Sequence, residues 1–414
     1  MLPDYYTDKG FQRKVKSRLK AREQHYVIKV PPPFSAICAA EITAFGFTGL
    51  EQTDSGIELK GALADVYTLN LKLQTASRIF LEIKSFKAGA REELYRKSFK
   101  IPWELYLNPL LPLVLKAHVR KSLIKHEGMT IQTLFEAICD RFAGQGISPP
   151  ALLIAADQPA EHQRLEIIVI KNKARIRMDT TGNHLHKRGY REIHGKAPIR
   201  ETLAAGFLKW VFHGRETLPS IILDPMCGSG TLLLETWIHF SGYYPGLKRD
   251  FLFTRLPWHR AKTFRYMKRT VESPDSQKVP RLLGRDISPR AIAIAKDNAR
   301  IIDPGKDIFL EPADFFHRPA GEVNLEIDEK KISDNDRWII SNPPYGVRLE
   351  EGTQQFLKTM IHRFQSTYSG WNIALILPSY FNIKRLLPKG TRSIEKTLSF
   401  SNGGIPVTGV VFRP

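Results

Sequence analysis

Ser220-Ile221-Ile222-Leu223-Asp224-Pro225-Met226-Cys227-Gly228-Ser229-Gly230-Thr231, followed by Leu232-Leu233-Leu234-Glu235, reads as an apolar strand, a terminal carboxylate, a glycine turn and an apolar helix. Glycines at 228 and 230 let the backbone bend sharply and approach a ligand closely, while the strand end and helix start form the cofactor crevice of an open α/β sheet. A pyrophosphate-binding loop would carry a third glycine as G-x-G-x-x-G; that position is Leu233, and an aspartate closes the strand. A carboxylate facing the site disfavours an anionic ligand and suits a cationic one. S-adenosylmethionine carries an ammonium and a sulfonium, so Asp224 is electrostatically matched to it. Asp224, Pro225, Cys227, Gly228, Gly230 and Thr231 are the first expected cofactor contacts.

Downstream, Leu282-Leu283-Gly284-Arg285-Asp286 reads as a second strand, with Ile287 beyond it, Ser288 as a helix N-cap and a helix through Ala291 to Ala299. A carboxylate at this strand end is placed to take ribose hydroxyls. Asp286 follows Asp224 by 62 positions, whereas the usual gap is about 20, so a segment is inserted after the first helix. That insertion, around Lys248 to Arg281, interleaves Arg255, Trp258, His259, Arg260, Lys262, Arg265, Tyr266, Lys268 and Arg269, which suits RNA contact or a solvated helical face. A third element, Ile308-Phe309-Leu310-Glu311, leads to Ala313-Asp314-Phe315-Phe316, where Asp314 is expected to accept the adenine amine while Phe315 packs near the ring.

Asn342-Pro343-Pro344-Tyr345 follows the strand Arg337-Trp338-Ile339-Ile340 and precedes Gly346. An exocyclic amine of a base is a poor nucleophile because its lone pair is delocalised into the ring. If the Asn342 side-chain oxygen and the Pro343 carbonyl each accept one N–H, the nitrogen can turn its lone pair toward an incoming methyl carbon. Consecutive prolines stiffen the loop, and Tyr345 can stack on an extracted base. An Asn-Pro-Pro string alone is a common turn; its place after a buried strand and downstream of the glycine loop makes these four the candidate catalytic residues.

The N-terminal part carries no comparable chemistry. Lys9 to Arg22 holds seven cations and no acid, a disordered arm or a solvated helix. Short apolar stretches from Tyr26 (Tyr26 to Val30, Ile57 to Leu59) around a helical Phe34 to Ala44 suggest a small α/β module ending near Lys60. A second module over residues 61–178 is expected to contain helices at Ala62 to Leu71, Lys97 to Trp103 and Ile131 to Phe142, with strands at Ser77 to Ile83, Leu113 to His118, Glu166 to Lys171 and Lys173 to Met178. A binding role fits it better than catalysis. The connecting segment from Asp179 to Lys196 is polar and glycine-punctuated, a structural linker or an RNA contact through Lys187, Arg188, Tyr190 and Arg191. A helix over Ile199 to Trp210 opens the catalytic part, residues 197–414.

The whole chain has 414 residues, enough for two or three domains, and 62 Lys and Arg against 42 Asp and Glu. The resulting +20 charge favours a polyanionic partner, nucleic acid first. Cys38, Cys139 and Cys227 are far apart and form neither a disulfide framework nor a metal site, so no metal is expected and a reducing compartment is. No apolar run approaches the roughly 20 residues of a membrane helix, and the N-terminus opens on polar residues, which leads to a cytoplasmic expectation. With the chain ending at Pro414, a single catalytic domain is expected.

From about Tyr26 onward the sequence resembles the bacterial THUMP-domain class I S-adenosylmethionine-dependent methyltransferases, typified by the guanine-N2 methyltransferase of large-subunit (23S) ribosomal RNA and often labelled N6-adenine-specific DNA methylases. The resemblance rests on Asp179-Thr-Thr-Gly182 with Leu185-His-Lys-Arg-Gly-Tyr-Arg191, on Ala197-Pro-Ile-Arg-Glu-Thr-Leu-Ala-Ala205, on Asp224 to Thr231 and on Asn342 to Gly346; the long gap before Asp286 also looks like this family. It implies an α/β chain: a small ferredoxin-like module, a THUMP RNA-binding module and a Rossmann-type catalytic domain. It also implies that Asp224, Asp286 and Asp314 contact S-adenosylmethionine, that Asn342 to Tyr345 hold a guanine amine, and that ribosomal RNA is the partner. Adenine N6 as the target, or an RNA-binding assembly factor without catalysis, are the alternatives. The cations before Tyr26 have no counterpart in the resemblance.

Overall fold

The computed structural model describes Tyr6 and residues 8–153, 161–191, 199–215, 217–271, 279–317, 337–345, 353–382 and 394–414. Ala197, Pro198 and Gly346 of the quoted motifs lie outside these. The chain forms two compact units: Met1–Val30, Ala39–Leu185 and Arg249–Thr270 in one, and Pro31–Cys38, His186–Lys248 and Val271–Pro414 in the other.

In the first unit, helix α1 (Lys9–Val15), N-capped by Asp8, runs on through a π-type turn over Lys16–Lys20. Phe11, Val15 and Leu19 recur every four residues and are all buried, while Lys9, Arg13, Lys14, Lys16 and Arg18 face solvent. The cationic arm is therefore an amphipathic helix packed on a core. Next come β1 (Gln24–Lys29), α2 (Ser35–Ala44, in this unit from Ala39 onward), β2 (Glu51–Thr53), β3 (Gly56–Gly61), α3 (Asp65–Lys72) and β4 (Arg78–Lys87). They are followed by α4 (Arg91–Phe99), β5 (Leu113–Arg120), α5 (Glu127–Ala143), β6 (Leu152–Leu153), β7 (Gln163–Ile170) and β8 (Lys173–Asp179). The eight strands form one sheet in the order β2-β3-β1-β4-β8-β7-β5-β6.

Two expectations shift here. The first module does not close at Lys60, because β1 pairs antiparallel with β3 on one side and with β4 on the other. The expected helix from Lys97 to Trp103 is instead α4, which ends at Phe99, and a separate short turn at Trp103–Leu105, with Pro102 between them denying the backbone a donor.

The second unit begins with α6 (Glu201–Phe212), β9 (Ile221–Asp224) and α7 (Thr231–Ser241). The chain then leaves it: α8 (Ala261–Val271) and the loop before it belong to the first unit as far as Thr270. The cause is aromatic. Phe253, His259 and Phe264 surround Tyr67 of α3 with ring centroids 5.0, 5.6 and 5.3 Å away, and Tyr67 Oη accepts the Arg260 N–H at 2.9 Å. The inserted segment is thus part of the first unit's core, and the catalytic part is not continuous from 197 to 414.

Returning, the chain makes β10 (Arg281–Asp286), α9 (Pro289–Ile302), β11 (Ile308–Pro312), β12 (Arg337–Ser341), α10 (Thr353–Thr367), β13 (Asn372–Pro378), β14 (Lys396–Asn402) and β15 (Ile405–Phe412). The sheet order is β11-β10-β9-β12-β13-β15-β14, parallel from β11 to β13, with β15 antiparallel to both β13 and β14. β9 and β13 are buried at every position, as strands covered on both faces must be. The chain builds β9, β10 and β11 outward, then returns to lay β12 on the other side of β9. That reversal creates the topological switch point, and ligands bind beyond the carboxyl ends of the strands there. Among the described residues no helix is long and apolar enough to cross a membrane, and no His, Cys, Asp and Glu cluster is suited to a metal ion.

Candidate active site

Four adjacent parallel strands deliver the polar residues to one edge. Asp224 ends β9, Asp286 ends β10, Asp314 lies just beyond β11, and Asn342 directly follows β12. They line a cavity of about 540 Å³ together with Pro225, Met226, Cys227, Gly228, Ser229, Thr231, Ile287, Phe315, Phe316 and Pro343 to Tyr345. That volume suits a nucleoside-sized ligand.

Asp224 is 2 % exposed and its Oδ1 accepts hydrogen bonds from Ser341 Oγ at 2.7 Å and the Met226 N–H at 3.1 Å. Burial pushes its carboxyl up to about 7, with the nearby Asp286 charge adding to the rise and the two hydrogen bonds opposing it. A carboxylate so poorly solvated is stabilised by a cation. Asp286 ties the glycine loop to β10: Oδ2 accepts the Gly228 N–H and Oδ1 the Ser288 N–H, each at 2.9 Å. Asp314 accepts the Phe316 N–H at 2.8 Å and shares a 2.7 Å hydrogen bond with His317 Nδ1, which holds its carboxyl below the usual range.

The glycine loop behaves as its composition requires. Gly228 (φ 54°) and Gly230 (φ 82°) sit in the left-handed region. A Cβ on Gly228 would meet no protein atom within 4 Å, whereas one on Gly230 would come 3.2 Å from Ala295 Cβ of α9. Gly228 thus opens the cavity wall, while Gly230, expected as a ligand contact, instead permits α9 to approach and is not among the lining residues. Cys227 is buried, which pushes its thiol up, and its N–H is anchored to the Arg285 carbonyl at 2.8 Å. At the start of α7, Thr231 Oγ1 is buried with no partner among the described residues while the residue lines the cavity.

These features fit S-adenosylmethionine. Asp224 is electrostatically suited to its ammonium or sulfonium, Thr231 and the first turn of α7 present donors suited to its carboxylate, and the Asp286 and Asp314 carboxylates line the same cavity. Ile287, 70 % exposed at the rim, supplies apolar surface for a ring to cover. Phe315 is itself 7 % exposed and packed in the core against Phe364 and Tyr368, so it forms the floor of the cavity. Phe316, Met226 and Ser341 were not singled out from sequence, although a hydroxyl residue ending a buried strand before Asn342 was a usable signal for the last.

The four connecting-segment residues divide. Lys187 is exposed. Arg188 and Tyr190 are buried around Glu235 of α7: the guanidinium donates at 3.2 and 3.3 Å and the phenol at 2.8 Å. Arg191 is paired with Glu201 at 3.0 Å. Arg188, Tyr190 and Arg191 therefore act as internal ties of the catalytic unit rather than as RNA contacts, because a buried guanidinium needs its carboxylate more than a phosphate outside. Arg188→Ala, which strands the Glu235 charge, is expected to cost about 3–5 kcal/mol of stability. A thermal melt unchanged from wild type, with RNA affinity lost instead, would show the opposite assignment to be right.

Comparison with known proteins agrees with this geometry. Residues 188–403 match the UPF0020 family, described as an RMKL-like methyltransferase domain, and residues 25–80 match the RlmL ferredoxin-like domain, whose end beyond Lys60 reflects the β1–β4 pairing. A Shewanella sp. (strain MR-7) protein named ribosomal RNA large subunit methyltransferase K/L is 30% identical over 390 residues, covering 92% of this chain and 51% of that protein. The chain thus spans about half the length of such relatives. Among solved structures, a possible methylase from Clostridium difficile 630 is 26% identical over 95% of this chain and 99% of that one, with a TM-score of 0.76. SMU.472, solved in complex with SAH, shares the fold at 24% identity and a TM-score of 0.77, over 95% and 98% of the two chains. With residues 188–403, just over half of its length, matching the domain model, the chain belongs to the RMKL-like family of S-adenosylmethionine-dependent methyltransferases.

Proposed function

We propose that the protein methylates the exocyclic N2 amine of a guanine in large-subunit ribosomal RNA, the first unit gripping RNA through a THUMP-type module and the second performing the transfer. The observation that carries this reading is the placement of Asn342-Pro343-Pro344-Tyr345 on the same cavity as Asp224, Asp286 and Asp314. The relatives' printed names supply the RNA.

Bound in the cavity, S-adenosylmethionine supplies an electrophilic methyl group on a positively charged sulfur. Asp224 holds the cationic end, and Asp286 and Asp314 hold the nucleoside. Asn342 Oδ1 and the Pro343 carbonyl accept the two amine protons of the base, which turns the nitrogen lone pair out of conjugation and toward the methyl carbon. The nitrogen–carbon bond forms as the carbon–sulfur bond breaks, with the neutral thioether S-adenosylhomocysteine leaving; the alkylated nitrogen is then acidic and gives its proton to water, so no strong base is needed. The same acceptors suit adenine N6, so the base itself is decided by product analysis.

RNA is held by charge and stacking. α8 carries Lys262, Arg265, Lys268 and Arg269 with no acidic residue, and Tyr266 on it is 70 % exposed. Lys262 and Arg269 lie four before and three after Tyr266, on the same helical face. An unstacked base on Tyr266 with phosphates at these cations is the expected contact. Tyr266→Ala should raise the RNA KM about tenfold with kcat unchanged, Tyr266→Phe should restore it, and each cation removed should lower the salt dependence by about one unit. Unaltered RNA affinity in Tyr266→Ala would make α8 a solvated face.

A further inference from the structure

The terminal hairpin reaches the candidate catalytic residues. Asn402, 8 % exposed, is the last residue of β14, and its Nδ2 donates to Tyr345 Oη at 3.0 Å. Tyr345 Oη in turn donates to Asn342 Oδ1 at 2.9 Å. The hairpin fixes this reach: Gly403 and Gly404 both have positive φ, 60° and 89°, and Asn402 is paired with Ile405 across the turn.

Donor and acceptor chemistry gives the chain a direction. An amide nitrogen only donates, so Asn402 occupies a lone pair of the Tyr345 oxygen and leaves the phenolic proton to point at Asn342. That proton takes one of the two lone pairs on Asn342 Oδ1. The other is left for an incoming amine N–H, and the Asn342 amide is held from flipping its nitrogen toward the base, where two donors would face each other. We infer that Asn402 is a positioning residue for methyl transfer, acting through the Tyr345 hydroxyl to hold the Asn342 oxygen toward the base amine. This rests on the role proposed above for Asn342, whichever base carries the amine.

The test is steady-state kinetics of the full chain on the nucleic acid the wild type methylates, with S-adenosylmethionine affinity measured separately by calorimetry. Asn402→Ala should lower kcat about tenfold, with substrate KM and cofactor Kd within about twofold, the scale of one oriented hydrogen bond. Asn402→Asp keeps the shape but at pH 8 accepts the phenolic proton, drawing it from Asn342. It should therefore be at least as slow as Asn402→Ala at pH 8 and recover as pH falls and its carboxyl regains a proton to donate. In a Tyr345→Phe background, Asn402→Ala should add no further loss.

An Asn402→Asp variant as active as wild type at pH 8, or losses that multiply independently in the double variant, overturn the inference. A wild-type product of N6-methyladenine overturns the guanine reading and leaves this test intact, since the coupling is read on either amine.

Discussion

Asn342→Ala is expected to lower turnover by about a thousandfold, the scale seen when one preorganised polar group at a reacting centre is removed. S-adenosylmethionine affinity should stay within about threefold of wild type, because on the proposed reading Asp224, Asp286 and Thr231, at the ends of β9 and β10 and the start of α7, hold the cofactor. Ser341, the residue just before it, is bound to Asp224 through its own side chain and is unaffected. On the proposed reading the two effects separate because Asn342 meets the base, whereas the carboxylates meet the cofactor. Single-turnover rates with isothermal titration on the same preparation distinguish them. An active variant removes the assigned role, and an inactive one that also fails to bind S-adenosylmethionine shows a collapsed cavity.

Asp224→Asn is expected to have an opposite pair of effects, weaker cofactor binding and a more stable apo protein. The carboxyl is pushed up to about 7 by burial against an ordinary value of 3.8. Because the folded value lies above the unfolded one, the charged form is disfavoured in the folded protein. The penalty is absent well below pH 4, grows as pH rises through the interval to 7, and is constant above. At about 1.4 kcal/mol per unit it reaches roughly 4 kcal/mol. The neutral amide escapes it, so the apo melting midpoint should rise by on the order of 5 °C at pH 8.

A cation in the cavity stabilises that same charge, so the variant should lose about 100-fold in S-adenosylmethionine affinity. In the wild type, affinity should level off above about pH 8 and be about tenfold weaker at pH 6 than at pH 8, a dependence that Asp224→Asn lacks. If the variant binds as the wild type does, Asp224 serves the loop alone, through the Met226 N–H and the Ser341 hydroxyl.

The parts of this site visible in the sequence are those that end strands. Asp224, Asp286 and Asn342 each follow a run of apolar residues, and a parallel sheet brings such ends to one edge whatever separates them in the chain. Distance along the chain erased the rest. Asn402 reaches Tyr345 across 57 positions through an antiparallel hairpin, and no local pattern marks it. Arg188, Tyr190 and Arg191 read as surface cations and an aromatic because their acceptors, Glu235 and Glu201, come later in the sequence.

The insertion shows the same limit from the other side. Its cations are legible, and those on α8 stay outward, but Phe253, His259 and Phe264 turn in around Tyr67, nearly 200 positions earlier. The amphipathic spacing of Phe11, Val15 and Leu19 is in the sequence, but the seven cations between Lys9 and Arg22 mask it.

The most direct measurement is to incubate the protein and tritiated S-adenosylmethionine with unmethylated ribosomal RNA and, separately, with DNA, then to digest and identify the labelled nucleoside. Label in N2-methylguanosine from RNA, and none from DNA, is the expected result. Label in N6-methyladenine, or no label in either while the cofactor binds, would contradict it.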